Sequence, residues 1–248
     1  MSNVKFDFTG ENFVVTGASS GMGRQVALEL AQSGAKVLGI ARHEDRLREL
    51  QAQFPSNVFV APLDVCNSEQ MECAIQEFVA INGKLHGGVH AAGIADITPI
   101  KSYDKTRAKE IMNVNFWSGM DFVQMMIKKK ISNEEASFVF FSSVYAISSA
   151  KGMFAYSGAK AAIISAMRSI SKEISKRGQR INAILPGWVK SEMTEDLGSM
   201  SNKSEIIANE LLGVGSPKDV SGMALFLLSN RACWITGTSI AVDGGFLA

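Results

Sequence analysis

Tyr156 and Lys160 stand four residues apart in the segment AYSGAK, residues 155–160, where most neighbours are small. Side chains at positions i and i+4 of a helix lie on the same face, one turn apart. The run that follows, AAIISAMRSISKEISK, has helical apolar spacing and predicts that both residues lie in a helix's first turns. An ammonium beside a phenol lowers a pKa that is ordinarily near ~10. The pair predicts a proton donor or acceptor usable near neutral pH, although alone it also fits a surface tyrosine and a solvated lysine.

Short apolar runs alternate with helical patterns along the whole chain. The sequence predicts strands at 12–17, 36–42, 57–65, 86–94, 137–143, 180–187 and 238–245, and helices at 24–35, 44–54, 68–82, roughly 103–130, 155–177 and 218–230. Continuous apolar strands separated by helices are typical of a parallel sheet covered on both faces. The predicted fold class is therefore α/β, a doubly wound parallel sheet in one domain spanning residues 1–248. The segment at about 191–216 breaks this rhythm, and an insertion of that length predicts a lid or substrate loop.

Three glycines follow the first predicted strand and open the first predicted helix: Gly17, Gly21 and Gly23 in VVTGASSGMGRQ. Glycines at this junction permit a tight turn and let the backbone approach a pyrophosphate, which the helix N-terminus attracts. Their spacing, G-x-x-x-G-x-G, differs from the commoner G-x-G-x-x-G, but the strand–turn–helix context is the one the motif requires. The turn predicts a Rossmann-type dinucleotide site.

The end of the second strand indicates which dinucleotide is bound. An acidic residue there would bind the ribose 2′-OH of NAD. The sequence has Ala41 followed by Arg42, and a guanidinium suits a 2′-phosphate. The sequence therefore favours NADP(H), while NAD(H) stays open.

Taken in order, the motifs resemble the short-chain dehydrogenase/reductase family from about residue 9 to the C-terminus. The matching residues are Thr16, Gly17, Gly21, Gly23, Asp64, Asn115, Ser143, Tyr156, Lys160, Pro186, Gly187, Val189 and Ser191. Ser191 replaces the threonine of the family's P-G-x-V-x-T motif but keeps a hydroxyl. The resemblance implies cofactor contacts from Gly17, Ser19, Ser20, Gly21, Met22, Gly23, Arg42, Asp64, Val65, Ala91, Ala92, Gly93, Tyr156, Lys160, Pro186, Gly187, Val189 and Ser191.

The resemblance also implies roles for four catalytic residues. Tyr156 would protonate a carbonyl oxygen as hydride arrives and accept the proton in reverse. Lys160 would lower the pKa of Tyr156 and hold the nicotinamide ribose. Ser143 would hydrogen-bond the substrate oxygen, and Asn115 would hold a water that links Lys160 to solvent.

One motif departs from the family pattern. The family's N-N-A-G after the fourth strand reads H-A-A-G here, residues 90–93, so His90 and Ala91 replace two asparagines. Ala92 and Gly93 keep the small end that lets the backbone approach the cofactor. We expect His90 to satisfy a hydrogen bond at the strand end rather than to act in catalysis.

The implied function is an NADP(H)-dependent oxidoreductase that transfers hydride between nicotinamide and a carbonyl or secondary alcohol. The C-terminal stretch SPKDVSGMALFLLSNRACWITGTSIAVDGGF resembles 3-oxoacyl-carrier-protein reductases, which raises a 3-oxoacyl thioester as substrate. A sugar or polyol dehydrogenase and a non-catalytic dinucleotide-binding sensor are the alternatives. Trp188, Met193, Met200 and Phe154 are candidates for an apolar substrate pocket. The family resemblance implies a homotetramer in which helices at 103–130 and 155–177 pack against their symmetry mates.

Composition and charge argue against nucleic-acid binding, secretion, a membrane span and a metal site. The net charge is +1 with mixed signs, and there is no basic stripe of the kind that binds nucleic acid. The N-terminus lacks a signal-peptide pattern, and no apolar run approaches the length of a membrane span. Three cysteines and three histidines have no metal-ligand spacing, so we expect free thiols, no metal and a cytoplasmic location.

Overall fold

Seven strands form one parallel sheet in the order β3-β2-β1-β4-β5-β6-β7 in this computed structural model, which describes residues 4–195 and 210–248. The strands are β1 Asn12–Thr16, β2 Lys36–Ala41, β3 Val58–Pro62, β4 Leu85–His90, β5 Ser132–Phe141, β6 Arg180–Pro186 and β7 Ser239–Val242. Each lies where the apolar runs of the sequence predict a strand, because strands buried on both faces read as continuous apolar segments.

Seven α-helices cover the two faces of this sheet within the described residues. They are α1 Gly21–Gln32, α2 Glu44–Gln53, α3 Ser68–Asn82, α4 Lys105–Met112, α5 Ser118–Met126, α6 Phe154–Ile174 and α7 Pro217–Leu228. One core cluster joins apolar residues of α1, α2 and α7 to the sheet, and a second joins those of α3, α5 and α6. The doubly wound α/β fold predicted from the sequence is confirmed.

Several element boundaries differ from the prediction, most clearly in β5 and in the helix predicted at roughly 103–130. The strand β5 begins at Ser132 rather than 137, and its pairing with β4 shifts register between Leu85 and Gly87. Glu135, within this irregular stretch, has a φ of 65°. Because the residues there are polar, the apolar pattern of the sequence does not predict this first part of the strand. The helix predicted at roughly 103–130 ends at Met126, and a π-helical turn, Asn113–Trp117, joins α4 to α5.

The carboxyl ends of β1 and β4 form the crevice where a ligand is expected. The strand β1 pairs with β2 on one side and β4 on the other, so successive crossovers leave β1 in opposite directions. Open α/β sheets bind ligands at such a switch point. Thr16 and His90 are register partners at the ends of these two strands.

The predicted substrate loop at about 191–216 lies largely outside the described residues. Its first part, 191–195, and its last part, 210–216, are described. Val189, just before the loop, pairs in an isolated parallel bridge with Gly215 in the last part of the loop. Within the described part of the chain, no helix is long and apolar enough to cross a membrane.

Candidate active site

Tyr156 and Lys160 lie in the first two turns of α6, as the sequence predicts. The Nζ atom of Lys160 lies 5.6 Å from the centroid of the Tyr156 ring and donates a hydrogen bond of 2.9 Å to the carbonyl of Phe141. Lys160 is almost fully buried. Gly158, between them in sequence, has open space where a Cβ would stand. The small residues therefore leave room beside this helix.

Ser143 follows the end of β5 and joins the same site. Its hydroxyl accepts a hydrogen bond of 3.1 Å from the backbone N–H of Tyr145, and it stands close enough to Tyr156 to act on the pKa of that phenol. The preceding Ser142 donates a hydrogen bond of 2.8 Å to the carbonyl of Lys160, and its own N–H bonds the carbonyl of Ile184. Ser142 thus fixes α6 against β6. Sequence reasoning missed this positioning residue, although the serine doublet at 142–143 is its signal.

The pKa values of the two central groups move in opposite directions. Burial raises the pKa of Tyr156 to about 12, and the hydrogen bond with Ser143 opposes this only in part. Burial lowers the pKa of Lys160 to about 7. The expectation that Lys160 lowers the pKa of Tyr156 is wrong for the isolated chain. Desolvation disfavours the charged form of each group, and a lysine that is half neutral at pH 7 exerts only part of its field.

Asn115 occupies the π-helical turn and presents a free acceptor toward Lys160. Its Nδ2 donates to the carbonyls of Ile94 at 2.7 Å and Ile111 at 2.9 Å, which fixes the orientation of the amide. Its Oδ1 is buried and has no hydrogen-bond partner in the described part of the chain. A Cβ at Gly93 would lie 2.6 Å from this oxygen and 3.3 Å from the Lys160 Nζ. A buried acceptor of this kind suits a water molecule. π-Helical turns often mark functional sites.

His90 holds the ends of β1 and β4 together. It is 1% exposed, and its Nδ1 lies 3.0 Å from the hydroxyl of Thr16. Its Nε2 lies 3.4 Å from the hydroxyl of Ser118, which itself donates to the carbonyl of Val114. Ser118 must therefore accept from Nε2–H, and Thr16 donates to Nδ1. The expectation that His90 satisfies a hydrogen bond at the strand end is confirmed.

The Thr16 hydroxyl also fixes the backbone that follows β4 at the crevice. It accepts hydrogen bonds from the backbone N–H groups of Ala91 at 3.2 Å and Ala92 at 3.3 Å. Burial and the Lys160 charge lower the pKa of His90 to about 3, so the imidazole is neutral. A neutral histidine replaces the family's asparagine without placing a charge beneath the crevice.

The glycine turn has the shape that a dinucleotide requires. Gly17 has a φ of +69°, and a Cβ there would lie 2.9 Å from backbone atoms of Ala91 and Ala92. A Cβ at Gly23 would collide with the carbonyl of Gly17. The helix α1 begins at Gly21 with Ser20 as its N-cap, which has no side-chain capping bond. The first N–H groups of α1 are therefore available to a pyrophosphate, and the turn fits a nicotinamide dinucleotide.

The other predicted cofactor contacts surround this turn. Ser19 is buried, whereas Met22 is partly buried and packs against the core under α1. Arg42 is exposed after the end of β2 and has no ion-pair partner among the residues described. Asp64 follows β3 and accepts a hydrogen bond of 2.9 Å from the N–H of Cys66, while Val65 is buried.

The segment after β6 reaches back to the glycine turn. A Cβ at Gly21 would lie 3.7 Å from the Cβ of Ser191. Pro186 ends β6, and Gly187 packs so closely that a Cβ would stand 2.8 Å from Asp243. Val189 is buried. The structure therefore brings the P-G-x-V-x-S motif beside the turn that starts α1.

An apolar cluster of side chains packs beside Tyr156. Buried Met153 and Trp188 pack there with the partly buried side chains of Ala95, Ile97, Tyr145, Ala150, Tyr156 and Met193. Trp188 and Met193 were both expected in a substrate pocket. Phe154 does not join this cluster: it is exposed and packs edge-on against Tyr103 at 5.5 Å. Met200 lies outside the described residues. No metal-binding group of His, Cys, Asp or Glu occurs in residues 4–195 and 210–248.

Comparisons with known proteins match nearly the whole chain. A family model described as Enoyl-(Acyl carrier protein) reductase matches residues 17–247. A protein of Rickettsia prowazekii named 3-oxoacyl-[acyl-carrier-protein] reductase FabG is 31% identical over 97% of this chain and 98% of its own length. The Chlamydia muridarum protein of the same name is 31% identical over 94% and 95%.

Solved structures show the same fold. A short-chain dehydrogenase/reductase from Brucella melitensis, titled glucose/ribitol dehydrogenase, superposes with a TM-score of 0.92 at 24% identity and covers 98% of this chain and 99% of its own. A short-chain type dehydrogenase/reductase from Mycobacterium ulcerans superposes with a TM-score of 0.90 at 28% identity, with coverage of 98% and 91%.

Proposed function

The chain belongs to the short-chain dehydrogenase/reductase family, a family of oxidoreductases, and from that premise we propose that it interconverts a carbonyl and a secondary alcohol with NADP(H). The observation that carries this proposal is the convergence of Ser143, Tyr156 and Lys160 beside an apolar cluster of side chains and a dinucleotide-shaped turn. A non-catalytic sensor of dinucleotides would not need a serine, a protonated phenol and a buried lysine at one place beside an apolar cluster.

In this proposal Tyr156 donates its hydroxyl proton to the carbonyl oxygen during reduction. Its raised pKa keeps the phenol protonated at neutral pH, which is the form a general acid requires. Ser143 donates a hydrogen bond to the same oxygen and so orients the carbonyl. When bound, the nicotinamide supplies or accepts the hydride.

Lys160 and Asn115 restore the proton that Tyr156 gives up. Lys160, with a pKa lowered to about 7, can pass a proton and recover it near neutral pH. The free Oδ1 of Asn115 suits a water that bridges Lys160 to solvent. Lys160 also holds the nicotinamide ribose in the role that the family motif assigns.

NADP(H) is the proposed cofactor because Arg42 follows Ala41 with no acid to bind a ribose 2′-OH. The Arg42 side chain is exposed and has no ion-pair partner in the described ranges, so its donors are available to a 2′-phosphate. Arg42→Ala is expected to weaken NADPH binding while leaving NADH binding nearly unchanged, in titrations that follow nicotinamide fluorescence. Arg48→Ala, on the exposed face of α2, is the matched control. Tighter binding of NADH than NADPH by the unmodified protein would contradict the assignment.

A 3-oxoacyl thioester is the proposed substrate class. The names of the relatives at 31% identity support it, and the apolar side chains clustered around Met153 and Trp188 suit an acyl chain better than a polyol. Steady-state oxidation of NADPH with acyl thioesters, sugars and cyclic ketones would test this. We expect the highest kcat/KM with the thioesters, and a clear preference for sugars would favour the polyol dehydrogenase instead.

We also propose a cytoplasmic homotetramer. Cys66, Cys73 and Cys233 are unpaired, as expected in a reducing compartment. The large exposed apolar side chains of Tyr103, Trp117 and Phe154 lie on the α4–α5 and α6 surfaces that the proposed subunit contact would cover.

A further inference from the structure

The segment that follows β6 crosses the cofactor crevice to reach α2. We call residues 187–195 the strap. The strap starts at β6, yet the Oε2 of Glu192 lies 2.7 Å from the Nη1 of Arg46 in the first turn of α2. In the sheet order, β1, β4 and β5 lie between β6 and β2, the strand before α2. The strap therefore passes over the carboxyl ends of the strands that form the switch point.

Hydrogen bonds fix both ends of the strap, the end next to β6 and the end that reaches α2. The N–H of Lys190 bonds the carbonyl of Gly215 at 2.8 Å, and the N–H of Gly215 bonds the carbonyl of Trp188 at 3.0 Å. At the far end, Thr194 donates to the carbonyl of Val189 at 2.8 Å and accepts from the N–H of Ser191 at 2.9 Å. These bonds present Ser191 and Glu192 together at one tip.

This tip makes two contacts across the crevice. Ser191 packs on the glycine turn, 3.7 Å from where a Gly21 Cβ would stand. Glu192 forms the ion pair with Arg46. A dinucleotide bound along the switch point, as in the function proposed above, would lie beneath the strap. It could leave only after the tip had moved away from α1 and α2.

We propose that Arg46 and Glu192 are positioning residues that latch the strap over the bound cofactor and so set its release rate. Neither side chain touches reacting atoms in this scheme. The two side chains are 35% and 61% exposed, and exposed pairs are weak, so the latch opens readily in each turnover. Breaking such a pair is expected to speed release by roughly 1.5- to 5-fold.

Release of NADPH and NADH by stopped-flow fluorescence tests the latch. Glu192→Gln and Arg46→Gln should each speed the release of both cofactors by a similar factor, and the double variant should add little. The charge swap Arg46→Glu with Glu192→Arg should restore slow release of NADH. NADH is used here because it has no 2′-phosphate with which the side chain at position 46 could interact. At about 1 M salt the differences should shrink, since an exposed pair is screened.

The control is Arg48→Gln, which breaks the exposed Arg48–Glu44 pair on the same helix without touching the strap. It should leave release unchanged. If Arg46→Gln affects NADPH alone and Glu192→Gln has no effect, Arg46 reads the 2′-phosphate and the latch is wrong. Unchanged release of both cofactors in the two single variants also overturns it. If the unmodified protein binds neither dinucleotide, the proposed function fails first and the latch fails with it.

Discussion

The side chains of Tyr156 and Lys160 could be identified from the sequence, but their acid–base state could not. Their types and i, i+4 spacing place them on one face of a helix. Their pKa values depend on how deeply the folded chain buries each group, which is the largest cause of both shifts. The helical pattern carries no information on this packing, so the expected direction for Tyr156 was wrong.

Lys160→Met is expected to change how stability depends on pH. The pKa of Lys160 falls from an ordinary value of 10.5 to about 7 on folding. Between these values the unfolded chain binds a proton that the native chain does not, so the free energy of unfolding rises with pH. The unmodified protein should gain up to about 1.4 kcal/mol per pH unit from this group over pH 7–9.

Urea unfolding at pH 7, 8 and 9 measures this effect. The unmodified protein should show the added slope, and Lys160→Met should lack it. Lys151→Met, at an exposed position, serves as the control. Parallel pH profiles for the unmodified and Lys160→Met proteins would show that Lys160 stays charged in the native state.

At the scale of elements, continuous apolar runs in the sequence predict the seven strands. Segments that are polar or irregular have no such run, so their structure could not be predicted from the sequence. The first residues of β5 are polar and irregular, so its start was placed five residues late. The π-helical turn that carries Asn115 adds residues to a helical repeat, and a pattern read at 3.6 residues per turn does not detect it. The His90 link between β1, β4 and α5 depends on register, which a single strand pattern does not specify.

His90→Asn is expected to make the protein less sensitive to acid. The pKa of His90 falls from 6.5 to about 3 on folding, so between these values only the unfolded chain is protonated. Stability from this residue is complete above pH 6.5 and is lost as the pH falls toward 3. Melting temperatures from pH 7 to 4 should fall more steeply in the unmodified protein than in His90→Asn. His43→Asn, at an exposed site, should keep the steep fall, and an equally steep fall in His90→Asn would contradict the assignment.

At the scale of the whole molecule, exposed apolar side chains mark a surface that the proposed subunit contact would cover. Trp117 is 55% exposed at the end of the π-helical turn, and Trp234 is 97% exposed before β7. Large exposed aromatic side chains are enriched at interfaces between proteins. The sequence shows that these tryptophans are present, but only the folded structure shows that they are exposed.

Light scattering is expected to give the mass of a tetramer at micromolar concentration. Trp117→Glu should shift the protein toward smaller species without unfolding it, because a charge on an exposed site disturbs an interface and leaves the core intact. Glu69→Gln, an exposed position on α3, should leave the mass unchanged. A monomeric mass for the unmodified protein would contradict the proposed assembly.

Single-turnover hydride transfer from bound NADPH in Tyr156→Phe tests the proposed chemistry most directly. This substitution removes only the hydroxyl, so the fold and NADPH affinity should stay nearly intact, and Tyr103→Phe controls for loss of a phenol elsewhere. The transfer rate should fall by roughly 10²- to 10⁴-fold, as expected on loss of a general acid. Transfer at the unmodified rate would show that Tyr156 does not supply the proton.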